Sequence, residues 1–505
     1  MPLTWERLLE LQAENYAEDL PLSPSMLQWD EAAARRHFEH PTDVAFAMDD
    51  LSCQLSAAAE GPSEDDQLLI ARRIWDGLSD VCMEAADGSL CVVLRRGRIG
   101  FAGHLSDLPP QFECVARVDY GECTIMPGLI DAHVHLESDP CFPLHGQPPL
   151  ADAALLQAMQ ERAADMVAHG ITSCRDLGGK GASLALRALT RRGGRALPRL
   201  LVAGQPITRH GGHCHQWGGG ASGEAEVRAV IARQAERGCD LIKVMATGGV
   251  RTAGTNPADA AFTLREMRAA VEAAAARGLK VAAHAHGVGG IRACVDARVH
   301  SIEHCSWVDR DGRWGAMEAE CAREIARAGI FVSPTVPASW GQARFAGLRE
   351  AMSPTYQFMV AAGVRFVASS DSGAIPNVGH HQLLDGLLVF QKCARLSNAA
   401  LLRCATSEAA AACTLEDETG RVAEGLAADL LVVPGNPLED VEASLRNLVA
   451  VICRGRFVEP CAGAMPPKAR RSFPPSWTRA AVQEAEPCAC TRRMHRAASA
   501  SARVQ

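Results

Sequence analysis

Between residues 128 and 412 the chain alternates short apolar runs with longer amphipathic segments. The runs read IMPGLIDAH, ITSCRDL, RLLVAG, DLIKVMA, LKVAAHA, HSIEHC, GIFVSPT and VRFVASSD. Short, nearly continuous apolar runs predict strands buried on both faces. Most are separated by segments such as LLQAMQERAADMVAHG and LREMRAAVEAAAARG, whose apolar residues recur at helical spacing. Eight buried strands separated by helices predict an α/β fold, a (β/α)8 TIM barrel.

The flanks have another texture. Short β-like runs broken by turns fill 67–127, as in SLCVVLRRGRIGFAGH, and return in 413–462, as in LVAVICRGRFVEP. One small β-sandwich built from both sides of the barrel accounts for them. Residues 1–66 are helix-prone and acidic in patches, and run into AAAEGPSEDDQ, which reads as a linker. They are expected to be a helical or partly disordered extension. Residues 463–505 are Pro- and Arg-rich and read as a disordered basic tail.

Composition narrows the function classes. A chain of 505 residues is too long for one ordinary core. Its net charge of -8 argues against a nucleic-acid partner. No run of about 18 apolar residues predicts a membrane span. Charges from Glu6 onward break up any signal-peptide core. The 19 cysteines are an odd number with no CxxC, which fits free thiols and a cytoplasmic setting.

The strand ends carry the chemistry. In GLIDAHVH, His133 and His135 are two apart and face the same side of a strand, which suits half of a metal site. Barrel active sites lie at the C-terminal ends of the strands. There the sequence places Lys243 in the fourth run, His284 in the fifth, His304 in the sixth and Asp371 in the eighth. Imidazole and carboxylate are ordinary zinc ligands. A lysine in an apolar strand is pushed toward its neutral form. A neutral amine can take up carbon dioxide as a carbamate, whose two oxygens can bridge two metals.

PGLIDAHVHL, the lysine of IKVMATGGV, AHAHG, SIEH and the aspartate of SSDSG resemble the amidohydrolase superfamily of metal-dependent hydrolases. The branch most like them contains imidazolonepropionases, Xaa-Pro and Xaa-Arg/Lys dipeptidases and ochratoxinase-type amidases. GITSCRDLGG and TGRVAEGLAADLLVVPGNP extend the resemblance across roughly 69–459. It implies two divalent ions, with zinc as the expected metal. One would be held by His133, His135 and Asp371, the other by His284 and His304, with carboxylated Lys243 between them. His284 is preferred to His286 because the branch's fifth-strand ligand lies 20 residues before the histidine of its IEH motif, here His304.

The implied reaction is cleavage of a C–N bond, in a small amide or dipeptide-like substrate, by metal-activated hydroxide. Asp371 would be the catalytic proton carrier. The alternative is a mononuclear cyclic-amide hydrolase of the imidazolonepropionase type; those enzymes lack the lysine. A non-catalytic scaffold is the other class considered, and the retained ligand positions argue against it. A homo-oligomer is compatible with the resemblance.

Other polar residues receive structural or peripheral roles. In RHGGHCHQWGG, His213 is expected to touch substrate, and His210 and His215 to lie in the same loop. His380 and His381 are expected to open a helix after the eighth strand. Arg175 and Asp176 are expected to form a buried ion pair, and Gly248 and Gly249 to permit a tight loop. No arginine or carboxylate stands out as a substrate clamp.

Overall fold

The computed structural model describes residues 66–461 apart from 87–88, 143, 145–146, 148–149, 193–194 and 376. The expected basic tail, and the expected N-terminal extension up to residue 65, lie outside the described residues.

The chain first forms β1 (Gln67–Ala71), β2 (Arg73–Ile74), β3 (Met83–Glu84), β4 (Leu90–Arg95), β5 (Arg98–His104), β6 (Ala116–Asp119) and β7 (Thr124–Pro127). It then turns into β8 (Leu129–Val134). Gly128 is the crossing point, and a Cβ there would come within 2.1 Å of Thr172 Oγ1, so only glycine fits.

From β8 the chain alternates as its apolar runs predict. Helix α1 (Asp152–Ala168) leads to β9 (Ile171–Asp176), α2 (Ser183–Arg192) to β10 (Arg199–Val202), and α3 (Gly223–Glu236) to β11 (Ile242–Met245). Then come α4 (Leu264–Ala275), β12 (Val281–Gly287), α5 (Val288–Asp296), β13 (Ser301–Val308), α6 (Ala319–Arg327) and β14 (Phe331–Ser333). Helix α7 (Ala346–Ala361) precedes the short β15 (Arg365–Phe366), after which α8 (Leu383–Ala394), α9 (Asn398–Cys404) and α10 (Ser407–Ala412) follow. The start of α4 shows the local logic. Thr263 accepts from the amide of Glu266, and the Glu266 carboxylate accepts from the amide of Thr263, as the spacing TLRE allows.

Strands β8, β9 and β10 pair in parallel, as do β11 to β15 in chain order. Both seams between these sheets carry hydrogen bonds. At one, Ile207 N donates to Lys243 O at 2.8 Å and Met245 N to Ile207 O at 2.8 Å. At the other, Ala132 N donates to Ala368 O and Asp371 N to His133 O, both at 2.9 Å. The predicted eighth run is therefore regular strand only at its start, while its remainder bonds irregularly to β8. Side chains such as Ile242, Val244, Met267, Ala274 and Ile302 fill the space between strands and helices. Each large aliphatic group so buried contributes about 1.5–3 kcal/mol.

After α10 the chain adds β16 (Leu430–Val433), α11 (Val441–Arg446), β17 (Ala450–Cys453) and β18 (Arg456–Val458). One sheet has the order β5-β4-β1-β6 and another β18-β17-β16-β7-β2-β3, so the second draws strands from both sides of the parallel region. Leu69, Val92, Ile125, Leu430 and Ile452 share one core.

Candidate active site

His133, His135, Lys243, His284, His304 and Asp371 all line one cleft, together with His213 and His286. The cleft holds about 960 Å³ including its open mouth. All eight residues are buried, none more than 8% exposed overall. They arrive from strand ends: His133 within β8, Lys243 within β11, His284 and His286 within β12, and His304 within β13. Asp371 follows β15 and His135 follows β8.

The tautomers are set from outside the cleft. His133 Nδ1 lies 2.9 Å from Glu303 Oε2, and His135 Nδ1 lies 2.7 Å from the carbonyl oxygen of Gly178. Both partners only accept, so each Nδ1 carries a hydrogen and donates it. On a neutral ring Nε2 is then bare. These two Nε2 atoms stand 3.4 and 3.2 Å from the same Asp371 oxygen. Burial, and then Lys243, push His133 down to about 4, so its own Nε2 carries no proton at neutral pH. The bare Nε2 of His133 and the Nε2 of His135 thus converge on one carboxylate oxygen, an arrangement that can take a cation at its centre. Metal bonds of 2.0–2.2 Å at tetrahedral angles would separate ligand atoms by about 3.3 Å, so the donor set fits a metal ion.

The other half of the cleft is also imidazole-rich. His304 Nδ1 lies 2.7 Å from Thr335 Oγ1 and His286 Nδ1 lies 2.9 Å from Ser306 Oγ. His284 Nε2 donates to the carbonyl of Gly248 at 3.1 Å. Donor atoms of His284, His286 and His304 lie within 4.8 Å of one another, as do those of His133, His304 and Asp371. His304 belongs to both groups and joins the two halves. Burial holds His284 and His304 well below the ordinary imidazole value and His286 at about 3. Lys243 is pushed down to about 8 by burial, against the pull of Glu303 and Asp371. Burial acts to raise Asp371, yet His133 and His135 outweigh it and keep the carboxyl below its usual range.

Backbone strain accompanies the site. His304, Thr335 and Asp371 adopt φ of 68°, 48° and 53°, a left-handed region that side chains with a Cβ avoid. Gly373 is needed beside them: its φ is 89°, and a Cβ there would meet His135 O at 2.2 Å. Gly248 and Gly249 do permit a tight loop, since Cβ atoms would meet Asn256 O at 2.2 Å and the His213 ring at 2.5 Å.

The chain belongs to the amidohydrolase family. The model of that family matches residues 124–458, well over half the chain. Ochratoxinase of Aspergillus niger is 28% identical over 381 residues, covering 68% of this chain and 77% of that protein. An imidazolonepropionase of Rhizobium rhizogenes is 24% identical over 377 residues, covering 68% of this chain and 85% of its own length. A crystal structure of a Xaa-Pro dipeptidase with methionine in its active site superposes with a TM-score of 0.68. It is 26% identical and covers 78% of this chain and 100% of its own. The fold is thus an α/β fold containing a TIM barrel, and the protein is a hydrolase acting on C–N bonds. Its histidine clusters accord with a family that generally binds divalent metals.

Two expectations need correction. Arg175 does not pair with Asp176: its guanidinium meets Glu303 Oε1 at 3.0 Å, while Asp176 accepts from the amides of Leu136 and Gly178, both at 2.9 Å. Adjacent strand residues point to opposite faces and cannot meet. His380 and His381 precede α8 instead of opening it. His380 donates to the carbonyl of His135 at 3.2 Å, and His381 turns to Asp165 at 2.7 Å. In the glycine-rich loop only His213 enters the cleft, with Nδ1 2.8 Å from Thr252 Oγ1, while His210 and His215 are exposed.

Sequence reading missed Glu303, Arg251 and the placement of His286 inside the cleft. Glu303 is fully buried and accepts from His133, Arg175 and Ser301. Burial acts to raise it, but Arg175 and His133 prevail and keep it ionised. Its alternation with Ser301 in HSIEHC was the available signal. Replacing Glu303 by Gln leaves the Arg175 charge buried without its counter-ion. Urea unfolding is expected to show a loss of about 3–5 kcal/mol. Adding Arg175→Met is expected to recover part of that loss; simple additivity of the two costs would reject the coupling.

The neutral imidazoles fix a pH dependence for metal-free protein. The unfolded chain takes up protons near pH 6.5, whereas folded His133 does so only near 4. The stability is complete above about pH 6.5 and is lost as pH falls toward the folded values. Chelator-treated protein is therefore expected to melt lower at pH 5 than at pH 7. An equal melting temperature at both would contradict the buried, neutral assignment.

Proposed function

We propose that this chain is a metal-dependent amidohydrolase that cleaves the amide bond of a small N-acyl amino acid or dipeptide-like substrate. The observation that carries the reading is the meeting of the Nε2 atoms of His133 and His135 with one carboxylate oxygen at 3.2–3.4 Å. His133, His135 and Asp371 would hold one divalent ion, expected to be zinc, and His284 and His304 a second. Lys243 would sit between them as a carbamate: its neutral amine bonds to the carbon of carbon dioxide and loses a proton. Its depressed value near 8 supplies the neutral amine. When bound, such ions supply Lewis acidity toward a carbonyl and toward water.

The residues of the chain do the rest. Glu303 holds the His133 ring in one tautomer, and the Gly178 carbonyl does the same for His135. Asp371, ionised and aimed at the cleft, takes the proton from the attacking water and returns it to the departing nitrogen. Trp217, Trp314, Trp340 and Phe345 give the cleft apolar walls that exclude water from an aromatic or aliphatic substituent. Arg251 lines the same cleft and is the cation suited to a substrate carboxylate. His213, 4.6 Å from the His284 ring between centroids, would contact the substrate near the scissile bond.

The two remaining sheets, from 67–127 and 413–462, are read as one composite β-sandwich beside the barrel of 128–412. A cytoplasmic location is part of the same reading. No disulfide links the cysteines of the described residues, and no helix among them is long and apolar enough to cross a membrane.

The decisive experiment is turnover of a library of N-acyl amino acids and dipeptides by zinc-loaded full-length protein. Asp371→Asn is expected to lower kcat by roughly 10²- to 10⁴-fold with the fold retained by circular dichroism. Full turnover by that variant would reject Asp371 as the proton carrier. Arg251→Met is expected to raise KM by roughly 10- to 100-fold for substrates with a free carboxylate. The same variant should leave the corresponding carboxamides unaffected. Equal effects on both would remove Arg251 from the substrate site.

A further inference from the structure

A second cluster of metal-ligating groups lies outside the cleft, and nothing in the hydrolytic reading uses it. Asp165 and His169 are four residues apart around the C-terminal end of α1, so both project from the same side of the helix. His381 reaches them from the segment that leads into α8. The carboxylate of Asp165 lies between the two rings. Oδ2 is 2.7 Å from His381 Nδ1 and Oδ1 is 3.4 Å from His169 Nδ1. The imidazoles stack with centroids 4.5 Å apart at 25°. One ligand atom from each residue lies within 4.8 Å of the others. All three side chains are partly exposed, at 26%, 28% and 19%, so an ion can enter from solvent.

We propose that Asp165, His169 and His381 form a separate binding site for a divalent transition-metal ion such as zinc. Two imidazoles and a carboxylate are a borderline donor set, suited to zinc, cobalt or nickel and poorly suited to magnesium or calcium. Ligand atoms on such an ion stand about 3.3 Å apart, so the site closes when side chains rotate and the His169 ring gives up the 2.8 Å bond that its Nδ1 now donates to the carbonyl of Asp165. Among the described residues no lysine or arginine forms an ion pair with Asp165, whose partners are His169 and His381. Asp385, whose charge also favours a cation at His169, adds negative potential, although it is itself bonded to Arg446.

The ion would join parts of the fold that are far apart in sequence. Cys461 N donates to Ala168 O at 2.9 Å, so the far end of the β-rich region is already anchored beside this cluster. His380, next to His381, donates to the carbonyl of His135. An ion at the outer site would therefore hold in place the segment that braces the backbone of the cleft.

The test is independent of hydrolysis. Full-length protein and its Asp165→Asn and His381→Gln variants are dialysed against the same zinc buffer, and zinc per chain is measured by emission spectrometry. Each variant is expected to hold one equivalent less than the parent. Equal zinc content in all three would overturn the site. Crystals of the unaltered protein soaked in zinc decide the matter if either variant fails to fold. An anomalous peak between the three side chains upholds the proposal, and its absence at the zinc edge refutes it.

Discussion

The carboxylate of Asp371 and the Nε2 atoms of His133 and His135 converge in one buried pocket, 3.2–3.4 Å apart. The unprotonated Nε2 of His133 facing a carboxylate favours positive charge at their centre. The surrounding groups sustain that demand. Glu303 and the Gly178 carbonyl occupy the outer nitrogens, so neither ring can turn its hydrogen inward without leaving an acceptor bare. Arg175 in turn keeps Glu303 ionised. The chain of dependence runs from a guanidinium in β9, through a carboxylate in β13, to an imidazole in β8.

The strand ends also store strain. His304, Thr335 and Asp371 each sit in the left-handed region, at a cost of about 1–2 kcal/mol per residue. Parallel strands on either side, and the packed helices outside them, over-determine these positions. The irregular stretch after β15 is part of the same compromise. It gives up regular pairing so that Asp371 turns toward the histidines while its amide still bonds to His133 O at 2.9 Å.

Much of this was legible because it follows from local periodicity. Apolar runs marked the buried strands, and spacing by two put His133 and His135 on one side. Resemblance in motif supplied the order of Lys243, His284, His304 and Asp371. What escaped was long-range. Glu303 makes sense as a buried ion only with Arg175, 128 residues earlier. Arg251 lies on a loop whose course no periodic pattern reports. The mistaken pairing of Arg175 with Asp176 took nearness along the chain for nearness in space, which a pleated strand forbids. His286 was read as a mere neighbour of His284, although spacing by two puts both on one face.

His133 and Asp371 meet across the seam where the first and last parallel strands close on each other. Their partnership spans 238 residues of the polypeptide. During synthesis, the earlier strands can associate long before the final one leaves the ribosome, and they carry an incomplete ligand set until it docks. On the proposed reading, ion capture at that centre would be timed to ring closure. A truncated or stalled product, lacking the last strand, would be left without Asp371.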